Sequence, residues 1–186
     1  LALMLAQKNE ALIEAVELDK NAFGQAVENV GDSPWKDRIL LHNGDIRRQD
    51  FDAPFDFIIS NPPFFESELR SPSPQKNRAR HSESLTLGEL LRQIDQWLNA
   101  GGAFSILLPF PRTAYFEDLA AAGGFYLREK LLVRQTPSHP PFRSVLLFGR
   151  NKPGVPRVDE MIIRDAEGKE TADLLALLAD YYLPRL

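Results

Sequence analysis

Short apolar runs alternate along this chain with segments of helical periodicity, and this alternation constrains the fold more than any other feature of the sequence. Runs of about four to eight apolar residues have the length of strands, whereas apolar residues at spacings of three and four indicate helices. Strands that alternate with helices build a sheet covered by helices on both faces. The sequence therefore predicts an α/β fold with a doubly wound sheet.

The predicted elements follow one another with short connections. The predicted strands span 12–19, 38–43, 55–60, 103–109, 126–135, 144–150 and 160–164, and the predicted helices span 1–6, 21–30, 85–99, 113–122 and 172–183. The strands 126–135 and 144–150 are predicted to form a C-terminal antiparallel hairpin, and 160–164 an edge strand. Gly101-Gly102 are expected to end the helix before them. Neither a repeat nor a dividing linker is recognisable, so residues 1–186 are predicted to form a single domain.

Composition narrows the class of protein. The 186 residues, 44% of them hydrophobic and 26% charged, are typical of one globular domain. Neither a membrane-spanning apolar stretch nor a signal peptide is recognisable. The chain has no cysteine, which excludes disulfides and thiolate zinc sites and fits a reducing cytoplasm. Its three histidines are too scattered for a metal site, and a net charge of −4 means that nucleic acid would need a local basic patch.

The sequence Asn61-Pro62-Pro63-Phe64 directly follows the apolar run 55–60. Two prolines cannot continue a strand ladder, so the strand must end here. The arrangement suits a planar amine, because the Asn61 side-chain oxygen and the Pro62 carbonyl each accept one N–H while Phe64 stacks on the attached heterocycle. Two acceptors out of the amine plane favour a pyramidal nitrogen and direct its lone pair at an electrophile. A rigid turn after a strand is the alternative interpretation.

Polar side chains lie at the ends of three successive predicted strands: Glu17 and Asp19, then Asp45, then Asn61. In doubly wound sheets, ligands bind outside the carboxyl ends of the strands, and a carboxylate after a second strand accepts hydrogen bonds from ribose hydroxyls. Glu17 is the predicted ribose ligand, because it lies nearer the cleft than Asp19. Asp45 is predicted to accept from the adenine amino group of a cofactor. Each acid alone has an alternative role as a solvated strand end or a helix cap.

With these residues the chain resembles the class I S-adenosylmethionine-dependent methyltransferases. More narrowly, it is similar to the tRNA (adenine-N6) methyltransferases that modify the adenine immediately 3′ of the anticodon in a valine tRNA. The matching segments are 1–7, 15–19, 28–29, 33–35, 55–65, 74–75, 79–80 and, loosely, 145–147. Asn-Pro-Pro-aromatic marks amino methyltransferases in general, whereas Ser33-Pro34-Trp35 and the spacing from Pro74-Gln75 to Ala79-Arg80 narrow the resemblance.

The resemblance implies a Rossmann-like methyltransferase sheet and a cytoplasmic enzyme that methylates N6 of a tRNA adenine, with S-adenosylmethionine as cofactor. It implies that Asn61, Pro62 and Phe64 hold the target adenine while the methyl group passes in line from sulfonium to N6. The positions that it assigns to the cofactor are Glu17, Leu18 and Asp45. Neither a metal nor a membrane is expected, and the chain is expected to act as a monomer with tRNA as its partner.

The chain departs from this family at its start. The family places a first strand and a glycine-rich Asp-x-Gly-x-Gly loop just before the helix that begins here at Leu1. The backbone of that loop approaches the methionine part of the cofactor. Because neither element is in the sequence, we expect an omitted N-terminal segment that contains this loop and a central strand.

A basic segment follows the Asn-Pro-Pro-Phe turn and is predicted to contact RNA phosphates. Its cations are Arg70, Lys76, Arg78, Arg80 and His81, and the candidates to extend the patch are Arg47, Arg48, Arg134 and Arg143. The predicted substrate-binding residues are Pro63, Phe65, Arg78 and Arg80. Phe65 is a second stacking ring or a lid residue, with core packing as the alternative. For each single arginine the alternative is a solvated loop.

Three other functions stay open at this point. A methyltransferase for a protein glutamine amide would use the same chemistry, but such enzymes prefer Tyr after Pro-Pro and carry an N-terminal substrate domain. A guanine-N2 methyltransferase of ribosomal RNA would be expected to have His at the position of Phe65. A fragment that binds RNA without transferring a methyl group is the third, and it has no need of Glu17, Asp45 and Asn61 together.

Overall fold

The computed structural model describes residues 1–62, 85–152 and 154–181. The chain divides into two compact units, Leu1–Phe51 and Asp52–Leu186. One unit holds a two-stranded sheet and the other a five-stranded sheet. The strands predicted for one doubly wound sheet thus fall into two sheets, while the α/β class and the helix–strand alternation are confirmed. That residues 1–186 form a single domain stays a prediction.

The unit Leu1–Phe51 consists of two parallel strands joined by a helix. Its elements are helix α1 (Ala2–Ala6), strand β1 (Ile13–Glu17), helix α2 (Lys20–Gly31), a 3-10 helix (Lys36–Arg38), strand β2 (Ile39–Asn43) and a second 3-10 helix (Ile46–Arg48). Glu17 lies opposite Asn43, so β1 and β2 end at the same level. Buried Ala6, Val30 and Ile39 form the core between the helices and one face of this sheet.

Arg38 fastens the connection between α1 and β1. Its guanidinium donates to the carbonyl oxygens of Ala6, Asn9 and Ala11, each at 3.0 Å. A guanidinium offers five N–H donors in a fixed fork, so one side chain satisfies three backbone acceptors that no helix or strand uses. The connection therefore owes its shape to an arginine that follows it in sequence by 27 to 32 residues.

The second unit is built on a mixed sheet. Its elements are β3 (Phe55–Ser60), α3 (Leu87–Trp97), β4 (Leu98–Pro109), a 3-10 helix (Phe110–Arg112), α4 (Thr113–Ala122), β5 (Tyr126–Arg134), β6 (Pro141–Gly149), β7 (Arg157–Ile162) and α5 (Ala172–Leu178). The strand order is β3-β4-β6-β5-β7. β3 is parallel to β4 and β5 to β7, whereas β6 is antiparallel to both of its neighbours. The predicted C-terminal hairpin is confirmed as β5–β6, and the predicted edge strand as β7.

Four phenylalanine rings form the centre of this unit's core. Phe104 stacks on Phe148 at 5.1 Å between centroids, and Phe116 and Phe125 meet Phe104 edge-on at 6.3 and 5.1 Å. Stacked and edge-to-face rings at such distances add to the stabilisation from burial alone. The apolar face of α3 packs against these rings and holds the helix on the sheet.

The predicted end of helix α3 is wrong. The helix ends at Trp97 and β4 begins at Leu98, ahead of Gly101-Gly102. The glycines lie instead in a bulge of β4, where a step of two residues along β3 matches a step of five along β4. A Cβ at Gly102 would come within 3.0 Å of the Asp56 carbonyl oxygen, so close approach of two backbones requires glycine here.

Candidate active site

Asn61 and Pro62 lie at the carboxyl end of β3, as the sequence predicted. β3 and β4 are parallel, with Ser60 opposite Ile106, and β3 ends there. Asn61 is exposed and Pro62 is buried. The turn after β3 thus begins with an exposed asparagine and continues with a buried proline. The assignment of Asn61 and Pro62 to a bound amine stays a prediction.

The rest of the predicted amine site lies outside the described residues. These positions are Pro63, Phe64 and Phe65, together with Arg78, Arg80 and the other cations of the basic segment. Their predicted roles in stacking and phosphate contact therefore stay predictions.

Glu17 is the last residue of β1, and its side chain is half-buried. One carboxylate oxygen, Oε1, accepts from the Asp19 backbone N–H at 2.9 Å. The Glu17 carbonyl accepts from the Asn43 side chain at 2.8 Å and from the Gly44 backbone N–H at 3.0 Å. The end of β1 is thereby fixed to the turn after β2. The carboxylate uses one oxygen for this local bond, which leaves Oε2 suited to a ligand's hydroxyl groups.

Asp19 and Leu18 differ from Glu17 in what they do. Asp19 caps α2, and its carboxylate oxygen Oδ1 accepts from the N–H groups of Asn21 and Ala22 at 3.0 and 2.8 Å. Asp19 thus has the alternative role of a helix cap, and the assignment of Glu17 to a ribose stays a prediction. Leu18, between them, has 63% of its surface exposed, which leaves its side chain open to a bound heterocycle.

Asp45 follows β2 and is held by Arg47. Its carboxylate accepts from the Arg47 backbone N–H at 2.9 Å and forms a two-pronged ion pair with the guanidinium, the shortest contact being 2.6 Å. This hydrogen bonding from Arg47 holds the pKa of Asp45 below its usual range. Glu17 and Asp45 thus lie in one unit, at neighbouring strand ends. Sequence reasoning placed Arg47 in an RNA-binding patch, whereas the structure pairs it with Asp45.

The other arginines proposed to extend the patch have different surroundings. Arg134 makes a two-pronged ion pair with Glu160, at 3.1 and 2.9 Å, which raises the pKa of Arg134 and lowers that of Glu160. The Arg143 guanidinium lies over the Phe142 ring, 5.4 Å from its centroid. Arg48 is exposed.

A pair of titratable side chains escaped the sequence analysis. His42 Nε2 lies 2.7 Å from Glu14 Oε2, and His42 Nδ1 lies 3.3 Å from the Gln49 amide nitrogen. Phe51 meets the imidazole edge-on, 5.5 Å between ring centres. Glu14 and His42 lie on neighbouring parallel strands, 28 residues apart in sequence, so only the strand register brings them together. The pair therefore links β1 to β2 through side chains.

Two absences apply to the described ranges 1–62, 85–152 and 154–181. Within them, no group of three or more His, Cys, Asp or Glu side chains is arranged to hold a metal ion. Among the same residues, no helix combines the length and the apolar character that crossing a bilayer requires.

Comparison with known proteins identifies the family. The family model of the methyltransferase small domain matches residues 1–108. A tRNA1(Val) (adenine(37)-N6)-methyltransferase of Pseudoalteromonas translucida is 35% identical over 184 residues, 98% of this chain and 78% of the relative. A protein of the same name from Bacteroides fragilis is 34% identical over 98% of this chain and 78% of its own length. The one from Dyadobacter fermentans is 42% identical over 81% of this chain and 63% of its own.

Solved structures share the fold at low sequence identity. The crystal structure of a predicted O-methyltransferase from Agrobacterium tumefaciens has a TM-score of 0.66 and 15% identity, over 94% of this chain and 80% of that one. A methyltransferase from Pyrococcus furiosus has a TM-score of 0.57 and 20% identity, over 81% and 68%. At such identity the likeness shows the fold alone, which is the Rossmann-like fold of class I methyltransferases. The chain therefore belongs to the methyltransferase small domain family, within the group of the tRNA1(Val) (adenine(37)-N6)-methyltransferases.

Proposed function

We propose that this protein transfers a methyl group from S-adenosylmethionine to the exocyclic N6 amine of an adenine in tRNA, next to the anticodon. The likeness to tRNA1(Val) (adenine(37)-N6)-methyltransferases over 98% of the chain carries this proposal. The exposed Asn61 at the carboxyl end of β3 supports it, because ligands of such sheets bind outside the carboxyl ends of the strands.

Asn61 and Pro62 act on the amine. The amino group of adenine is planar because its lone pair is delocalised into the ring, and it is therefore a weak nucleophile. An amide oxygen from Asn61 and the carbonyl of Pro62 accept its two N–H groups and favour the pyramidal geometry in which the lone pair is available. Because both acceptors are fixed before the reaction, by the end of β3 and by the buried Pro62 ring, they stabilise the transition state without reorganising. The surplus proton of the methylated amine leaves to water.

The residues of the first unit fit the cofactor unequally. The Glu17 carboxylate, with one oxygen bound to the Asp19 N–H and the other not used in that bond, suits the paired hydroxyls of a ribose. Asp45 fits less simply, since both of its oxygens already accept from Arg47, and a cofactor amino group would have to share them. When bound, S-adenosylmethionine supplies an electrophilic methyl group on a sulfonium sulfur. Glu17 and Asp45 contribute by holding and orienting its adenosine part.

The substrate and location follow from the same proposal. A base must leave its stack to be methylated at an exocyclic amine. Bases of an anticodon loop are already largely unpaired, so moving one of them into the site costs less free energy. The names of the three relatives specify adenine, which disfavours the guanine-N2 and glutamine-amide activities. We infer that the enzyme is cytoplasmic, because tRNA is found there and because a chain without cysteine fits a reducing compartment. We also infer that it acts on tRNA as a monomer.

Methyl transfer to defined transcripts tests the proposal. The protein is incubated with labelled S-adenosylmethionine and an unmodified valine tRNA transcript, or with the same transcript carrying guanine in place of the adenine 3′ of the anticodon. We expect label in the first transcript and none in the second, and digestion to nucleosides should release N6-methyladenosine. Label in the guanine transcript, or transfer to a glutamine-containing peptide in place of tRNA, would contradict the proposal.

A further inference from the structure

A group of exposed rings and arginines surrounds the junction between β4, α4 and β6. We call it the Arg–aromatic surface, and its members are Phe110, Arg112, Tyr115, Phe142 and Arg143. The exposed fractions of the three rings are 37% for Phe110, 50% for Tyr115 and 36% for Phe142. Single exposed apolar residues are ordinary on protein surfaces. Three aromatic rings and two arginines around one junction are instead typical of a surface that interacts with a ligand or a macromolecule.

Each arginine lies over a ring. The Arg112 guanidinium is 4.7 Å from the centre of the Tyr115 ring, and that of Arg143 is 5.4 Å from the centre of Phe142. Guanidinium planes over aromatic faces are cation–π contacts, which restrict both side chains. The surface therefore presents planar groups together with positive charge.

The two halves of the surface are fastened to each other. Pro109 lies opposite Arg143 in the antiparallel pair of β4 and β6, so Phe110 and Phe142 come next along the same pairing. Directly behind them, the hydroxyls of Thr113 and Ser144 share a hydrogen bond of 2.6 Å, and these residues are only 4% and 0% exposed. A bonded pair of buried hydroxyls sets the position of α4 against β6, so the rings stand on a rigid support.

The Arg–aromatic surface and Asn61 lie at the same end of the five-stranded sheet, where β3 and β4 end and β6 begins. β3 ends with Ser60 opposite Ile106, and β4 continues from there to Pro109, which faces Arg143. Strand spacing and rise per residue place Asn61 and Arg143 about 12 Å apart along the sheet. A ligand with an adenine at Asn61 would therefore extend over the Arg–aromatic surface.

We propose that the Arg–aromatic surface binds unpaired bases of the RNA that flank the methylated adenine, with rings stacking on bases and arginines contacting phosphates. The inference rests on the proposed function and identifies where its substrate docks. Unpaired RNA bases stack on aromatic rings and on guanidinium planes, and this stacking is tolerant of sequence. Aromatic rings and arginines occur in protein interfaces as well, so the position of the surface decides for RNA: it lies about 12 Å from Asn61, where the target adenine is proposed to bind, and it offers both stacking planes and phosphate-binding cations.

Tyr115→Ala and Phe142→Ala test this surface in the full chain. Binding of the valine tRNA transcript is measured by fluorescence anisotropy over a range of salt concentrations, beside KM and kcat for methyl transfer. Each variant should weaken tRNA binding by at least about fivefold, with no change in the slope against salt, because a stacking contact is lost and no charge. KM for tRNA should rise by a similar factor and kcat should change little. Arg143→Gln should instead lower the salt slope by about one.

Three further variants make the outcome decisive. Tyr115→Phe keeps the aromatic ring and should bind tRNA like the wild type. Val155→Ser removes an apolar side chain that is 92% exposed at the opposite end of the sheet, and it controls for the loss of exposed apolar surface in general. Phe110→Ser tests the same surface independently if a tyrosine variant unfolds. If wild-type protein methylates tRNA and the Tyr115 and Phe142 variants bind it equally well, the rings serve another partner and the inference is overturned. If wild-type protein neither binds nor methylates tRNA, the proposed function itself fails.

Discussion

At the scale of single residues, neighbours decide what identical functional groups do. Asp19 and Asp45 both follow a strand, yet one carboxylate caps a helix and the other is bound to a guanidinium. Glu17 keeps one oxygen outside its local hydrogen bond, and we propose it as the ligand of the cofactor ribose. Asn61 is exposed beside a buried proline, which is the geometry that the amine-binding proposal needs.

Replacing Asn61 should separate catalysis from cofactor binding. Asn61→Ala removes one of two acceptors that act mainly in the transition state, so kcat for tRNA methylation should fall at least about 100-fold. Affinity for S-adenosylmethionine, measured by calorimetry, should be unchanged. Asn151→Ala, at an exposed asparagine beyond β6 and at the opposite edge of the sheet, is the matched control. Full activity of the Asn61 variant would remove this residue from the site.

The Asp45–Arg47 pair should make stability depend on pH in the acid range. Because the pKa of Asp45 is lowered in the folded protein, the pair stabilises the fold above the unfolded-state pKa near 4, and this contribution is lost as pH falls through the lowered value. Arg47→Gln should therefore reduce the free energy of unfolding by about 1 kcal/mol at pH 7 and by much less near pH 2. Urea unfolding at both pH values measures this, with a change at the exposed Lys36 of the same unit, Lys36→Gln, as control. An equal deficit at both pH values would contradict the assignment.

At the scale of elements, a few specific contacts decide how helices meet strands. Thr86 caps α3 with a capping box, in which its hydroxyl accepts from the Glu89 N–H and the Glu89 carboxylate accepts from the Thr86 N–H. The Thr113–Ser144 hydrogen bond joins the first residue of α4 to β6. Helix starts of this kind orient the apolar faces toward the phenylalanine core.

Removing one partner of the buried hydroxyl pair should destabilise the second unit. Thr113→Val keeps the shape but leaves the Ser144 hydroxyl buried without its bond, at a cost of about 1 to 3 kcal/mol. Ser144→Ala should cost a similar amount. The double variant should cost less than the two single changes together, because it leaves neither hydroxyl unsatisfied. Thermal and urea unfolding of all three proteins provide the measurement, and strict additivity would show that the two hydroxyls do not interact.

At the scale of the whole molecule, RNA binding has to overcome a net charge of −4. Contacts with phosphate must therefore come from locally concentrated cations, and the sequence concentrates them at Arg78 and Arg80 after the Asn-Pro-Pro-Phe turn. The Arg–aromatic surface would supply a second group of cations at the Asn61 edge. Two groups of this kind predict strong dependence of binding on salt.

Neutralising two arginines of the basic segment should reduce that dependence. Arg78→Gln with Arg80→Gln should weaken tRNA binding and lower the slope of log affinity against log salt by about two. The control is Lys152→Gln with Arg157→Gln, which changes the net charge by the same amount at the opposite end of the sheet, after β6 and at the start of β7. This variant should leave the slope unchanged. The measurement is anisotropy of labelled tRNA between low and physiological salt. Equal slopes in wild type and the Arg78 and Arg80 variant would place the phosphate contacts elsewhere.

Local patterns in the sequence were enough to predict several elements and the place of the candidate site. Hydrophobic periodicity located β2, β3, α2, α4 and the β5–β6 hairpin, because each period depends on residues close together in the chain. Two prolines after β3 placed Asn61 at a strand end for the same reason. Short motifs were also enough to identify the resemblance to tRNA methyltransferases, and the comparison with known proteins confirmed that family.

Only the tertiary structure decided the contacts that depend on register and on distant residues. The bulge of β4 around Gly102, the pairing of Glu14 with His42 and the hydrogen bond between Thr113 and Ser144 join residues that are 28 to 46 positions apart. Propensity acts over a few residues, whereas these contacts arise when whole strands and helices settle into the packing of lowest free energy. Arg47 lies near Asp45 in sequence, but the sequence did not decide whether its side chain contacts RNA or the carboxylate. The folded turn after β2 brings the guanidinium to Asp45.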